Sequence, residues 1–376
     1  MKKCIVISDS FKGTLSSLEI CKIARGSISR IFPDCQVETI PVADGGEGTV
    51  ECFMEAIGAV PVNVEVSGPY GTPVRAVYGR SGDKAIIEMA AAAGLPMAEG
   101  KLEPCRTTTY GVGQMIRHAV EQGCTNILLG LGGSCTNDGG CGCAAALGTK
   151  FLRKGGAEFV PAGGTLDQIA HIDAAGTKTL LAGVRLTAMC DVDNPLHGPQ
   201  GAAHVFGPQK GADPTTAEFL DGQLKSLDAA IQRELGLSLG YIPGTGAAGG
   251  MGAGCIAFLG AELKSGIEAV LDMVDFNRRL EDTDLVITGE GRIDSQSVRG
   301  KVISGIARRT RAQKIPLVAI VGGIGPGAEE AYPLGVTAIF GTDRQAAPLA
   351  EIMLLVSENY RYTLEDVLRL IRAIKN

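Results

Sequence analysis

Residues 1–31 read MKKCIVISDSFKGTLSSLEICKIARGSISRI. The segment opens with a short apolar run at Cys4–Ile7, continues through a polar turn, and then reaches a helix capping box formed by Ser16 and Glu19. Apolar residues follow on one helical face, at Ile20, Ile23, Ala24, Ile28 and Ile31. A buried strand followed at once by an amphipathic helix is the first half of a parallel βαβ unit, so the segment predicts an α/β protein.

Strand–helix alternation continues near both ends of the chain and is interrupted between them. A second strand is predicted at Val37–Val42 and a second helix at Gly48–Ile57. Between residues 62 and 88, short apolar runs are separated by turn residues, which is typical of an antiparallel meander. Alternation returns near the end, where strands are predicted at Asp284–Thr288, Leu317–Val321 and Thr337–Phe340. The two ends therefore resemble each other and differ from the middle.

This pattern predicts an α/β protein of two domains. The first is a doubly wound, mostly parallel sheet of the Rossmann or flavodoxin-like kind, built from both termini as residues 1–66 and 262–376. The second is an α/β domain inserted at residues 67–261. Parallel sheets bind their ligands at the carboxyl ends of the strands, so functional residues are expected in the loops that follow predicted strands.

Composition excludes several classes of protein. The 376 residues carry a net charge of −6, so the chain lacks the basic surface that nucleic acids select. No apolar run approaches the ~18 residues of a membrane span, and the first residues lack the apolar core of a secretory signal. The odd count of 11 cysteines favours buried thiols in a reducing cytoplasm over a disulfide framework. We therefore expect a cytoplasmic protein that binds small molecules.

One glycine-rich loop, Gly130–Gly140, directly follows an apolar strand and precedes an alanine-rich helix. A strand, a glycine turn and a helix N-terminus together favour an anion site, because backbone N–H groups there can meet a phosphate. Ser134, Thr136 and Asn137 add side-chain donors, and Asp138 is placed where it could reach a metal. The alternative is that these hydroxyls and the carboxylate only cap the helix.

A second glycine-rich segment contains Gly244, Gly246 and Gly249 in a GxGxxG pattern. A dinucleotide-binding fingerprint needs a strand immediately before it, and here Pro243 precedes the pattern. Close packing of a helix against a sheet is one alternative. A flexible loop whose backbone N–H groups meet an anion is another, and it suits the segment better.

Acidic residues follow three predicted strands, at Asp44, at Asp191 with Asp193, and at Glu290. Carboxylates exposed at strand ends can hold Mg²⁺ or accept a hydroxyl proton, although each alone could simply form a turn. Cations stand in similar loops, at Lys12, Lys210 and Arg292, where each could meet a carboxylate or a phosphate or be a solvated surface charge. The chain contains neither a P-loop nor a Gly-x-Ser-x-Gly nucleophile motif.

Seven motifs follow one another along the chain: Asp9-Ser-Phe-Lys-Gly13, Pro41–Thr49, Thr109–Gly113, Gly130–Gly140, Cys190–Pro195, Phe206–Gly211 and Gly289–Asp294. Over essentially its whole length the chain resembles the bacterial type 1 glycerate kinase family. Cys135 departs from the smaller Ala expected at that position. The resemblance implies ATP-dependent phosphorylation of glycerate, a requirement for Mg²⁺, and a two-domain fold in which one domain is inserted into the other.

The resemblance, taken with the loops above, leads to specific assignments. Nucleotide binding is assigned to Gly132, Gly133, Ser134, Thr136, Asn137, Gly246 and Gly249. Substrate binding is assigned to Ser10, Lys12, Asp44, Lys210 and Arg292. Catalysis is assigned to Lys12, Asp191, Glu290 and Arg292. Mg²⁺ is assigned to Asp191, Asp193 and Glu290. The expected reaction is in-line transfer from ATP to D-glycerate in an interdomain cleft that closes about a hinge, giving 2-phosphoglycerate or 3-phosphoglycerate.

Two other functions remain open from the sequence. An NAD-linked hydroxy-acid dehydrogenase would use Gly244, Gly246 and Gly249, with Glu268 at the spacing of a ribose-binding acid. A non-catalytic anion-binding protein would use the glycine loops and the cations, but the acids at the strand ends would repel its ligand. The sequence does not predict an oligomeric state.

Overall fold

The computed structural model describes residues 1–11, 13–42, 52, 54, 56–98, 100–295, 297, 302–346 and 348–375. The strands are β1 (Lys3–Ser8), β2 (Gln36–Pro41), β3 (Val60–Ser67), β4 (Pro73–Ser81), β5 (Lys84–Glu88), β6 (Asn126–Gly130), β7 (Lys150–Leu152), β8 (Glu158–Phe159), β9 (His171–Asp173), β10 (Arg185–Met189), β11 (Glu262–Lys264), β12 (Leu285–Thr288), β13 (Arg292–Ile293), β14 (Leu317–Val321), β15 (Gly323–Ile324) and β16 (Ala338–Gly341).

The α-helices are α1 (Ser17–Ile31), α2 (Ala90–Ala93), α3 (Tyr110–Glu121), α4 (Cys141–Leu147), α5 (Ala175–Leu180), α6 (Ala202–Phe206), α7 (Pro214–Leu235), α8 (Ala247–Ala257), α9 (Gly266–Met273), α10 (Phe276–Arg279), α11 (Val302–Ala312), α12 (Ala331–Leu334), α13 (Leu349–Leu354) and α14 (Val356–Lys375). Short 3-10 helices lie at Leu95–Ala98, Leu166–Gln168, Pro208–Lys210 and Ala328–Glu330. The helix predicted at 48–57 falls largely outside the described residues.

Contacts between residues divide the chain into two compact units. The first unit takes the described residues before Ala59 together with those from Ile267 onward, and the second is Ala59–Gly266. The sequence pattern predicts the changes of domain at residues 66 and 262, whereas the structure places β3 and β11 with the second unit. The reason is pairing: β3 is hydrogen-bonded along its whole length to β4, and β11 to β10.

The first unit is built on a parallel sheet of order β16-β14-β12-β1-β2. Its core combines alternate residues of β1 with apolar faces of α1 and α14, among them Val6, Ile20 and Leu364. The predicted capping box is present, since the Ser16 hydroxyl accepts from the Glu19 amide and the Glu19 carboxylate accepts from the Ser16 amide. The strand–helix pattern of the two ends thus folds as one sheet, as the α/β assignment requires.

The second unit is built on a mixed sheet of order β11-β10-β6-β5-β4-β3. Strands β3, β4 and β5 form the predicted antiparallel meander, while β5, β6, β10 and β11 are parallel. The mixed α/β class with mostly parallel sheets is therefore confirmed. Smaller sheets pair β13 with β15 and arrange β8-β7-β9. Among the described residues, no helix combines the length and the apolar character that a membrane span needs.

Candidate active site

The Gly130–Gly140 loop leaves the second sheet at a central position. Gly130 is the last residue of β6 and is in register with Glu88 of β5 and Met189 of β10, so the loop starts at the carboxyl edge between two parallel neighbours. It then runs beside the segment after α2, where the Cys135 amide donates to Ala93 O (3.0 Å) and the Leu95 amide donates to Gly133 O (2.8 Å). These two bonds hold the loop in an ordered conformation beside the segment that follows α2.

Consecutive backbone amides at the tip of this loop, residues 132–134, have no acceptor among the residues that the structure describes; we call these three residues the anion turn. The N–H groups of Gly132, Gly133 and Ser134 make no hydrogen bond within the described part of the chain. Gly132 and Gly133 are exposed, and Gly133 adopts φ +72°, a conformation that glycine permits without strain. Adjacent free amides at the carboxyl end of a parallel strand form a concave donor surface that suits an anion.

Asp138 shapes the rest of the loop. Its carboxylate is fully buried and accepts from the Thr109 amide (2.7 Å), the Thr109 hydroxyl (2.9 Å), and the amides of Gly140 (3.1 Å) and Gly142 (3.2 Å). Burial raises the pKa of Asp138, and the bonds from Thr109 and the glycine amides oppose that rise. The carboxylate therefore organises the start of α4, as in the capping alternative. The role of Thr109 could not be read from sequence because 29 residues separate it from Asp138.

Lys210 lies beneath the anion turn. The sequence assigns Lys210 to substrate binding, and the structure buries its side chain, with 2% of the residue exposed. The ammonium donates to Ser134 Oγ (3.1 Å) and to the carbonyl oxygen of Thr136 (2.6 Å). No described carboxylate lies within ion-pair distance of it, and burial lowers the pKa of Lys210 to about 8. Lys210 is therefore placed to support the loop from inside.

The GxGxxG segment packs against the same loop. A Cβ on Gly246 would lie 2.1 Å from the carbonyl oxygen of Pro195, and one on Gly249 would lie 2.0 Å from that of Thr136. Both glycines are buried, and Gly249 O accepts from the Gly139 amide (3.1 Å). No strand precedes the segment, since the described residues 236–246 are turn and coil. Gly246 and Gly249 therefore permit close backbone packing, and the dinucleotide fingerprint lacks its strand. Their assignment to nucleotide binding stays a prediction.

Two polar side chains between these segments are buried without partners. The Thr136 hydroxyl and both polar atoms of the Asn137 amide make no hydrogen bond within the described residues. A buried polar group without a partner costs about 1–3 kcal/mol. The two residues are consecutive and adjoin the anion turn. The buried polar side chains of the second unit that lack a partner among the described residues therefore lie next to this turn.

The carboxylates after β10 are accessible. Asp191 and Asp193 are exposed on either side of Val192, and Asp191 Oδ1 accepts from the Gly266 amide (2.9 Å). Oxygen donors of this kind suit Mg²⁺, which commonly takes one or two carboxylates together with phosphate oxygens. The described residues contain no cluster of three or more His, Cys, Asp or Glu side chains that could hold a metal. The donor set therefore fits a nucleotide-bound ion and does not fit an all-protein metal cage.

A second group of predicted residues gathers at the carboxyl edge of the first sheet. The Asp9 amide donates to Gly289 O (2.9 Å) and the Gly322 amide donates to Glu290 O (3.1 Å), so the ends of β1, β12 and β14 meet there. The Ser10 amide donates to Asp9 Oδ1 (2.7 Å), and the Glu290 side chain is buried. Exposed Arg292 has Nε 3.8 Å from Asp294 Oδ2. Lys12 and Asp44 lie outside the described residues.

The likeness to known proteins covers the whole chain. A family model described as "Glycerate kinase family" matches residues 4–372. The chain belongs to the glycerate kinase family. A glycerate kinase from Bacillus subtilis (strain 168) is 42% identical over 376 residues, covering 99% of this chain and 98% of that protein. A glycerate 2-kinase from Escherichia coli (strain K12) is 43% identical over 341 residues, which is 90% of each.

A solved structure shares the fold of this family member. It is a crystal structure from Salmonella typhimurium LT2, described as a glycerate kinase 2, with a TM-score of 0.86 and 41% identity. The match covers 100% of this chain and 99% of that one. Within this glycerate kinase family fold, the predicted residues fall into two groups. The second unit holds Gly132, Gly133, Ser134, Thr136, Asn137, Asp191, Asp193, Lys210, Gly246 and Gly249. The first unit holds Ser10, Glu290 and Arg292.

Proposed function

We propose that this chain is a glycerate kinase that transfers the γ-phosphoryl group of ATP to a hydroxyl of D-glycerate. Membership of the glycerate kinase family supports the reaction. The observation that supports the mode of binding is the row of free amides in the anion turn, Gly132–Ser134, at the carboxyl end of β6. Phosphoryl transfer needs positioning and charge neutralisation more than covalent help, and such a turn supplies both.

The phosphates of ATP are assigned to the anion turn. Gly132 and Gly133 expose their backbone, which allows phosphate oxygens to approach the N–H groups closely. The buried charge of Lys210 lies directly behind Ser134 and adds positive potential at the same place. Thr136 and Asn137, which are buried beside the turn, are proposed to add side-chain donors to the phosphate site. Gly246 and Gly249 support that surface through backbone packing.

Asp191 and Asp193 are proposed to hold Mg²⁺ together with the phosphates. When bound, the ion neutralises charge that develops on the transferring phosphoryl group. The bond from the Gly266 amide orients the Asp191 carboxylate, which is also the proposed acceptor of the hydroxyl proton. Glu290 is the alternative for that role, from the first unit.

Glycerate is assigned to the carboxyl edge of the first sheet. Ser10 offers a hydroxyl and Arg292 a guanidinium, which recognises carboxylates through paired donors. Lys12 and Asp44 are proposed, from the sequence, to contribute to glycerate binding as well. The E. coli relative is named glycerate 2-kinase, so 2-phosphoglycerate is the proposed product and 3-phosphoglycerate the alternative.

Phosphorus NMR of the products tests this function. Incubation with ATP, Mg²⁺ and D-glycerate should give ADP and a phosphomonoester signal coupled to the single proton on C2. Coupling to the two protons of C3 would assign the product as 3-phosphoglycerate. A change in nicotinamide absorbance with NAD and glycerate, without consumption of ATP, would replace the kinase by the dehydrogenase alternative. If the protein binds phosphate but turns over neither ATP with D-glycerate nor NAD with glycerate, the anion-binding alternative would replace the kinase.

A further inference from the structure

Lys210 occupies an unusual position for a lysine. It is nearly completely buried, and the two acceptors that it finds among the described residues, Ser134 Oγ and Thr136 O, are uncharged. A buried ammonium without a counter-charge is costly, so its retention needs an explanation beyond stability. We propose that Lys210 is a positioning residue that makes the Ser134 hydroxyl a hydrogen-bond donor to a phosphate oxygen of ATP. This inference rests on the proposed binding of nucleotide phosphates at the anion turn.

The direction of the hydrogen bond from Lys210 determines the role of the Ser134 hydroxyl. A charged ammonium can only donate, so the Ser134 oxygen accepts at 3.1 Å and its own proton must point elsewhere. That proton meets no acceptor among the described residues, and Ser134 adjoins exposed Gly133. The hydroxyl therefore continues the row of free amides with one more donor. Donation from a charged group also polarises the hydroxyl and strengthens the bond that it can make.

The second bond of Lys210 removes a competing acceptor. The Thr136 carbonyl oxygen lies 2.6 Å from the ammonium, which keeps its negative end turned inward. An outward carbonyl beside the anion turn would repel a phosphate. One buried lysine thus orients a donor and restrains an acceptor within three consecutive residues.

The charges around Lys210 leave room for an anionic ligand. Cys135 and Asp138 are the titratable groups that face it. Burial raises the pKa of Cys135 to about 11, so this thiol is neutral at physiological pH. The Asp138 carboxylate is bound by Thr109, Gly140 and Gly142 and is not within ion-pair distance of the ammonium. A phosphate bound at the turn would add a full negative charge near the ammonium, so binding should favour the protonated lysine.

Nucleotide binding by calorimetry gives the primary test, because it does not depend on transfer. Mg²⁺ and a non-hydrolysable ATP analogue are titrated into wild-type protein, Lys210→Met, Ser134→Ala and the double variant, with Lys178→Met as a control at an exposed lysine. We expect Lys210→Met to weaken binding about tenfold or more and Ser134→Ala somewhat less. The double variant should be no weaker than Lys210→Met, because the serine acts through the lysine. Independent, multiplicative effects of the two substitutions would overturn the proposal.

Kinetics separate this role from direct contact with glycerate or a merely structural one. Lys210→Met should raise the KM for ATP and leave the KM for D-glycerate near its wild-type value; the opposite pattern would return Lys210 to the substrate site. If Lys210→Met fails to fold, the pH dependence of the KM for ATP provides the test instead. The wild-type KM for ATP should rise above about pH 8 as the lysine loses its proton, and Lys210→Arg should remain flat because arginine stays charged. Equal profiles for both would contradict the inference.

If the analogue binds as expected but no phosphoglycerate forms, the proposed transfer fails and the positioning role stands. If phosphoglycerate forms but substitution of Lys210 does not change the affinity for the analogue, the positioning role is wrong and the proposed transfer stands.

Discussion

Gly249 lies against Thr136 so closely that a Cβ on the glycine would come 2.0 Å from the threonine carbonyl oxygen. The same carbonyl oxygen accepts a hydrogen bond from Lys210 Nζ at 2.6 Å. The backbone of the Gly130–Gly140 loop is therefore held by close packing against a glycine and by a hydrogen bond from a buried cation.

Gly249→Ala should destabilise the protein by at least about 3 kcal/mol, because it adds a steric clash to the strain of φ +69°. The matched control is Gly236→Ala, which has φ +72° but no atom within 4 Å of the new Cβ. That control should cost only about 1 kcal/mol. Chemical denaturation of both variants gives the comparison. Equal losses would show that the close approach has no energetic weight.

Asp138→Ala should be among the most damaging substitutions in the second unit. It leaves the Thr109, Gly140 and Gly142 amides buried without their acceptor, at a cost of about 3–5 kcal/mol. Asp213→Ala is the comparison, since this exposed N-cap of α7 bonds the Thr216 amide and should cost about 1 kcal/mol. Thermal melting measures both. A loss at Asp138 no greater than at Asp213 would remove it as the organiser of the loop.

Asp191→Asn should lower kcat by about 10²-fold or more while the fold remains intact. The carboxylate is the proposed ligand of Mg²⁺ and acceptor of the hydroxyl proton, and an amide performs neither task well. Asp34→Asn changes an exposed carboxylate of the first unit and should leave turnover unchanged. Steady-state rates with saturating ATP and D-glycerate decide, and near-normal turnover in Asp191→Asn would remove that residue from the mechanism.

Lys210 should also change how the stability of the folded protein depends on pH. Its pKa falls from 10.5 to about 8 on folding, so between these values the unfolded chain binds more protons than the native protein. Stability contributed through this group must then increase as pH rises across the window. We expect the melting temperature of wild type, measured relative to Lys210→Met, to rise by roughly 3 °C or more from pH 8 to pH 10. A constant difference would mean that the buried lysine titrates normally.

The elements that the sequence predicted correctly are those that depend on a local pattern of residues. The capping box at Ser16, the meander, and the parallel strands of both ends all follow from periodicity and turn residues within a few positions of one another. The position of the Gly130–Gly140 loop at a strand end followed for the same reason.

Contacts between residues far apart in sequence determine the features that the sequence pattern did not predict. Gly246 and Gly249 are flanked in sequence by turn-like residues, but in space they face Pro195 and Thr136. The burial of Lys210 could not be predicted, because nothing near it in sequence signals that Ser134, 76 positions away, covers it. The domain boundary moved because β3 pairs with β4 rather than with the terminal sheet.

The backbone amide signals of Gly132 and Gly133 in an isotope-labelled sample provide the most direct test of phosphate binding at the anion turn. Titration with Mg²⁺ and a non-hydrolysable ATP analogue should shift both amide protons downfield, as expected when free N–H groups begin to donate to phosphate oxygens. D-glycerate alone should leave them in place. Saturation with the analogue while both signals stay unmoved would contradict the account.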